Sequence, residues 1–188
     1  MKNLKTIATT LVLTLSLTTM VAQTKKINTE KSKITWLAKK VTGQHEGTIN
    51  FADGALVFKG EKVKGGSFTV DMPSLTATDL KGEYLEKLNG HLKADDFFGT
   101  ATYPTSKLVF KKIATKDNKN YTVTADLTIK NITNPVVFDL VVNGNTAKTV
   151  LKIDRTKYDI KYNSGKFFDN LGDKTIYDEF ELTVNLVF

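Results

Sequence analysis

Strict alternation constrains this chain more than any other feature. In residues 121–129, Tyr121, Val123, Ala125, Leu127 and Ile129 take every second place against Thr122, Thr124, Asp126 and Thr128. Successive side chains of a strand point to opposite faces, so such a run makes a strand with one apolar and one polar face. The pattern recurs along most of the chain. Ile34, Trp36 and Ala38 alternate with Lys33, Thr35 and Lys39, and His45, Gly47, Ile49 and Phe51 follow after a turn at Thr42 and Gly43. Phe68, Val70 and Met72 share one face of a strand that Pro73 is expected to end, because proline donates nothing to a ladder. Val136, Phe138, Leu140 and Val142 repeat the theme, as do Thr149, Leu151 and Ile153, and finally Phe180, Leu182, Val184, Leu186 and Phe188.

Turn residues divide these runs. Ala52-Asp53-Gly54 reads as a hairpin, Asn131–Asn134 as a turn, and Asn143-Gly144-Asn145 as another hairpin. One stretch departs from period two. Leu80, Tyr84, Leu88 and Leu92 recur every four residues with Leu85 beside them, which predicts a helix over residues 78–92. Asp79 is its expected N-cap, and Asn89 with Gly90 its expected end or kink. The whole reads as about eight or nine antiparallel strands interrupted by one helix, an all-β barrel or sandwich. An eight-stranded barrel has room for packed side chains or for one small ligand.

The chain has 188 residues, enough for one domain with a proper core, and no segment divides the region 23–188. Cysteine is absent, which excludes disulfides, thiolate nucleophiles and cysteine-zinc sites. Lys2 and Lys5 precede the uncharged, largely apolar run 7–21, and Ala22-Gln23 offers a cleavage point. Residues 1–22 therefore read as a secretory signal peptide, with an uncleaved anchor as the alternative, and the mature domain as periplasmic or secreted. The net charge is +7, or +5 once Lys2 and Lys5 are removed. Its lysines are dispersed rather than clustered with aromatics on one face, which argues against a nucleic-acid partner and leaves a weak attraction to anionic membrane surfaces open.

Catalytic constellations are scarce. Only two histidines are present, His45 and His91, and no nucleophile elbow or phosphate-cradling loop occurs. His91 and Asp95 stand four apart and would share a helix face, yet two histidines make a thin set for a metal, so no metal or cofactor is expected. Asp95 and Asp96 read more simply as caps of a turn than as an acid–base pair. Large apolar side chains dominate instead, with 11 Phe and 6 Tyr. They either fill a dry core or line a cavity. A cavity well above about 300 Å³ would favour a bound ligand and a packed interior a structural module.

Several motifs together carry a resemblance. They are Gln44-His45-Glu46-Gly47-x-Ile49, Gly65-Gly66-x-Phe68-x-Val70-Asp71-Met72 and Gly90-His91-Leu92-Lys93-x-Asp95-Asp96-Phe97-Phe98, with Tyr103-Pro104 beyond. Ala125-Asp126-Leu127-Thr128-Ile129-Lys130-Asn131-Ile132-Thr133, Val136-x-Phe138 and Asp154-Arg155-Thr156-Lys157-Tyr158-Asp159-Ile160-Lys161-Tyr162 extend it. Over residues 29–188 the chain resembles the YceI-like family. The resemblance implies an extended lipocalin-like antiparallel eight-stranded barrel with one helix closing an end. It also implies an apolar tunnel that binds a polyisoprenoid such as an isoprenoid quinone or polyprenyl phosphate, and no catalytic activity. Where better-known members carry Arg-Asp before the His-Leu pair, this chain has Asn89 and Gly90.

On that basis the expected tunnel wall is Trp36, Ile49, Phe58, Phe68, Val70, Val123, Leu127, Phe138, Leu151, Leu182 and Val184. The expected gate or end-cap is His91, Leu92, Phe97, Phe98, Phe167 and Phe168. The expected function is carriage of a polyisoprenoid or similar long-chain amphiphile, the alternative being a structural or interaction module of the cell envelope. A homodimer is left open.

Overall fold

The computed structural model describes residues 21–188, so the body of the expected signal peptide lies outside the described residues. Nine strands follow in order: β1 (Ala22–Lys26), β2 (Lys33–Lys40), β3 (Gly43–Lys59), β4 (Lys62–Ala77), β5 (Thr105–Thr115), β6 (Asn120–Ile129), β7 (Ile132–Asn143), β8 (Thr146–Asp154) and β9 (Ile176–Val187). Helix α1 (Gly82–Lys93) lies between β4 and β5, and short 3-10 turns occupy Arg155–Tyr158 and Gly172–Lys174.

Every strand pairing is antiparallel. The order runs β3-β2-β9-β8-β7-β6-β5-β4, and β4 pairs again with β3, so eight strands close into a barrel. β1 stands outside that circuit. It lies on the last part of β3, where Ala22 faces Lys59 and Lys26 faces Ala55. β3 is long because it serves β2 with its first half and β1 with its second, while β4 runs along its other edge. The alternation seen in the sequence is the inward–outward alternation of the wall: Tyr121, Val123, Ala125, Leu127 and Ile129 are all buried on β6.

The two ends differ. Tight connections at 60–61, 116–119 and 144–145 gather at the hairpin end. The helix end carries α1, the turns of 94–104, the two-residue turn at Lys130 and Asn131, and the long segment 155–175. Lys130 and Asn131 both have positive φ (49° and 61°), the conformation that a two-residue hairpin needs to match the twist of its strands.

Five local expectations are corrected. Ala52-Asp53-Gly54 is no hairpin; β3 runs straight through it, a register shift between Phe51 and Asp53 absorbs Ala52, and Gly54 stays in the ladder facing Phe68. A bulge and a turn use the same residue types, and here the ladder to β4 continues on both sides. Pro73 does not end β4. It sits in the excess of β4 between Asp71, facing Asn50, and Thr76, facing Thr48, so its missing N–H breaks no rung. Asp79 does not cap the helix, which starts at Gly82 without a side-chain cap. Its carboxylate instead accepts from His45 Nδ1 at 2.8 Å. Finally, α1 passes through Asn89 and Gly90 to Lys93, and Asn89 anchors it by accepting from Ala77 N (2.9 Å) and donating to Thr76 Oγ1 (2.9 Å). Tyr84, expected on the buried stripe, is 74% exposed.

The ladders are uneven. β6–β7 keeps ten pairs and β8–β9 nine, but β7–β8 has only four, from Leu140 facing Thr149 to Asn143 facing Thr146. Towards the helix end the two strands part. Thr149 Oγ1 donates to Asp139 O (2.7 Å) and Asn134 Nδ2 to Lys157 O (2.9 Å) across the gap.

Candidate functional site

The inward side chains do not fill the barrel. A cavity of about 150 Å³ remains along the axis. On β9 its wall includes both Ile176 and Leu186. At ~3.3 Å per residue and a strand tilt near ~40°, that is an axial length of roughly 25 Å. The volume is below the ~300 Å³ of a pocket for a compact ligand, so the space is long and thin.

Aromatic side chains shape the bore. Phe51, Phe68, Phe110 and Phe138 form a run of neighbouring rings with centroids 6.1, 5.8 and 5.8 Å apart. Opposite them stand Leu151, Leu182 and Val184. Trp36 lies flat over Gly47: a Cβ there would meet the indole at 2.5 Å and Thr76 O at 2.0 Å, so only glycine admits the ring. The indole Nε1 is buried with no hydrogen-bond partner.

Of the expected wall, Trp36, Ile49, Phe68, Val70, Leu127, Phe138, Leu151, Leu182 and Val184 do line the cavity. Phe58 and Val123 do not. Phe58 is buried at the hairpin end against Phe188, with Lys25 Nζ 5.1 Å from its ring centre. Val123 is inward but sealed in the packed part of the core, wholly unexposed. Alternation fixes which face a residue is on, and not at which height the hollow begins.

At the helix end, Leu92, Phe97 and Phe98 form the end wall. Phe97 meets Phe98 edge-on at 5.3 Å, and Phe98 meets Phe180 at 6.2 Å. His91 stands behind this wall, edge-on to Tyr162 (4.4 Å) and Phe97 (5.4 Å), with Nε2 buried and unpaired. Phe167 and Phe168 belong to the same end but face solvent, 48% and 50% exposed, and do not touch the cavity. Among the described residues no three His, Asp or Glu side chains converge to hold a metal ion. His45 is engaged by Asp79.

Four cavity residues other than Trp36 carry polar side-chain atoms: Ser106, Thr149, Arg155 and Tyr177. The two hydroxyls of Ser106 and Thr149 are spent on backbone carbonyls, at 2.8 and 2.7 Å. The sequence does not single out Arg155 as a site residue, because nothing in the alternation marks a cation that turns inward at a strand's end. Its side chain is 3% exposed. It donates Nε to Tyr177 O (3.2 Å), Nη1 to Ile160 O (2.8 Å) and Nη2 to Ile176 O (3.0 Å), and its guanidinium lies 5.8 Å from the Phe97 ring centre.

Charges around Arg155 are balanced. Asp178 Oδ1 is 3.8 Å from Nη2, and Lys166 Nζ bridges Asp154 and Asp178 at 3.0 Å each. Burial lowers the Arg155 pKa below its ordinary value, while the charges of Asp178 and Asp154 oppose it. Burial also pushes the Asp154 carboxyl up, but hydrogen bonds from Thr156 and Lys166 outweigh it and hold the pKa below the usual carboxylate range. Tyr158, buried with its hydroxyl unpaired, is pushed up to about 12 by burial and then by the charge of Asp154.

A closed antiparallel eight-stranded barrel around an axial apolar cavity, with a helix across one end, belongs to the lipocalin-like class. Residues 26–188 match the YceI-like domain, and the chain belongs to that family. A UPF0312 protein of Shewanella denitrificans is 32% identical over 90 residues, covering 48% of this chain and 45% of that protein. One of Pseudomonas syringae pv. tomato is 30% identical over 98 residues, covering 52% and 49%. The match thus spans about half the length of these relatives. Among solved structures, BcnA of Burkholderia cenocepacia has a TM-score of 0.69 at 24% identity, over 86% of this chain and 99% of its own. A polyisoprenoid binding domain from Saccharophagus degradans has a TM-score of 0.57 at 14% identity, over 86% and 95%. At these identities the likeness is one of fold.

Proposed function

We propose that this chain is a non-enzymatic carrier or buffer for a polyisoprenoid or similar long-chain amphiphile, held with its tail along the barrel axis. The observation that carries the reading is the wall itself, roughly 25 Å long and apolar but for Trp36 Nε1, Ser106, Thr149, Arg155 and Tyr177. The polyisoprenoid-binding domain of the same fold supports it. Burying chain contributes about 0.8 kcal/mol per CH₂ against an association cost of ~4–15 kcal/mol. Fewer than about ten buried carbons would barely bind by that arithmetic, so the tail must be long. The bore sets a condition as well. A branched chain needs more room than about 150 Å³, so the reading requires lining rings such as Phe68, Phe110 and Phe138 to shift on binding.

Native mass spectrometry of freshly purified protein, with lipid extraction, tests the proposal. A bound prenyl lipid is expected. A consistently empty protein that takes up no isoprenoid quinone sinks the reading. That result would favour the dry structural module, which the small volume of about 150 Å³ keeps in view.

The proposal includes export to the periplasm or beyond the cell. It rests on Lys2, Lys5 and the apolar run 7–21. N-terminal sequencing of the exported protein should begin near Gln23. A protein that keeps Met1 would mean an anchor instead.

A further inference from the structure

Resting on the carrier reading, we propose that the helix end of the cavity selects an uncharged hydrogen-bonding head group, a ketone or hydroxyl, over a phosphate on the same chain, with Arg155 as the donor. Arg155 is the only charged side chain among the described residues lining the cavity. Three carbonyls fix its guanidinium in place, which leaves one N–H on Nη1 for a ligand and one on Nη2 beside Asp178 Oδ1 at 3.8 Å. An oxygen that accepts there meets a donor already held in position, and little ordering cost remains.

Selection follows from the charge balance. Arg155 and Lys166 are matched by Asp154 and Asp178, with the contacts at 3.0 to 3.8 Å. The next pair outward, Lys161 with Asp159 at 2.7 Å, is balanced too. A carbonyl or hydroxyl can take an N–H without disturbing that sum. A phosphate brings net negative charge beside the buried Arg155, whose charge and that of the exposed Lys166 are already matched by Asp154 and Asp178. It must also compete with Asp178 for the same guanidinium. A buried charge without its own partner is strongly disfavoured. Asp178 Oδ1 is itself buried without a hydrogen-bond partner, which adds a fixed acceptor where a second anion would sit.

The test uses lipid-free full-length mature protein and the single Trp of the chain, Trp36, which lines the cavity. Three probes share one tail: geranylgeranylacetone, geranylgeraniol and geranylgeranyl monophosphate. Each is titrated by quenching of Trp36 fluorescence. Ketone and alcohol are expected to bind at least about tenfold tighter than the phosphate. In Asp178→Asn the freed positive charge should move the phosphate-to-ketone affinity ratio about tenfold towards phosphate. Arg155→Met, confirmed as folded by circular dichroism, should bind the ketone and the alcohol at least about tenfold more weakly than the parent does. Should that variant not fold, Asp178→Asn decides alone.

Equal affinity for all three heads, or a head-group ratio that Asp178→Asn leaves unmoved, overturns the selection and leaves the carrier standing. Silence from all three probes overturns both.

Discussion

Placing the same bulky ring at two heights of one wall tests the cavity directly. Val123 and Leu127 sit on the inward face of β6, four residues apart. Leu127 borders the cavity of about 150 Å³, whereas Val123 is wholly unexposed and away from it. In Leu127→Trp the indole has a void to enter, and the main cost is an N–H left dry, ~1 kcal/mol. In Val123→Trp the same penalty is joined by overpacking, ~1–3 kcal/mol, for about 3 kcal/mol in all. At ~2–4 °C per kcal/mol for a chain of this size, Tm should fall by about 2–4 °C in the first and about 6–12 °C in the second. Thermal melts followed by circular dichroism give the two numbers. Prenyl-lipid uptake, followed by native mass spectrometry, should drop at least about tenfold in Leu127→Trp because the ring occupies the bore. If Val123→Trp melts no lower than Leu127→Trp, the hollow is not where the geometry puts it. Undiminished uptake in a stable Leu127→Trp would mean that the ligand binds elsewhere.

Other perturbations probe the elements that hold the site. Gly47→Ala should cost about 2 kcal/mol or more, since a methyl there collides with Thr76 O and the Trp36 ring; a Tm within ~1 °C of the parent would contradict it. Asn89→Ala removes both bonds between α1 and the end of β4 and should cost ~1–2 kcal/mol, with faster hydrogen exchange in α1 and little change in the barrel. Asp79 and Asp154 both have lowered carboxyl pKa values. Burial raises each, but the His45 hydrogen bond at Asp79, and those of Thr156 and Lys166 at Asp154, prevail. A lowered folded pKa stabilises above the unfolded value, near 3.8, and that gain is lost as pH falls through the folded value. Urea midpoints should therefore decline below about pH 4, and Asp154→Asn should flatten the decline. An unchanged slope in that variant would remove Asp154 from the account.

Most of the wall was legible because a strand's two faces impose a period of two on any half-buried sequence. Tyr121 to Ile129 shows it without interruption. The helix was legible for the same kind of reason, at a different period. The failures fall where one residue type serves two structures. Gly54 would suit a turn, but it serves inside β3 beside a bulge. Pro73 ends a regular ladder, yet it is harmless in an excess loop between rungs. Asp79 could cap a helix and bonds a histidine instead. The wall of the cavity was legible as a face, through Leu127 and Phe138. Its limits were not, because whether Val123 packs or borders a void depends on how rings from other strands meet at that height. Arg155 was least legible: an arginine at the end of a strand ordinarily points to water, and here the carbonyls of Ile160, Ile176 and Tyr177, with Asp178 beside them, hold it inside.

The short ladder between β7 and β8 bears on how anything enters. Tight hairpins gather at one end of the barrel, and Leu92, Phe97 and Phe98 line the cavity at the other. A tail held along the axis, as proposed, would enter where the wall opens at least cost. Four rungs join β7 to β8, and beyond them the strands are bridged by the side chains of Thr149 and Asn134. Phe138, Leu151 and Ile153, on the two sides of this gap, also line the cavity. Separating them breaks few main-chain bonds, so this seam is where the wall opens at least cost. Traffic through it would be governed by the breathing of one seam, with the helix end left in place.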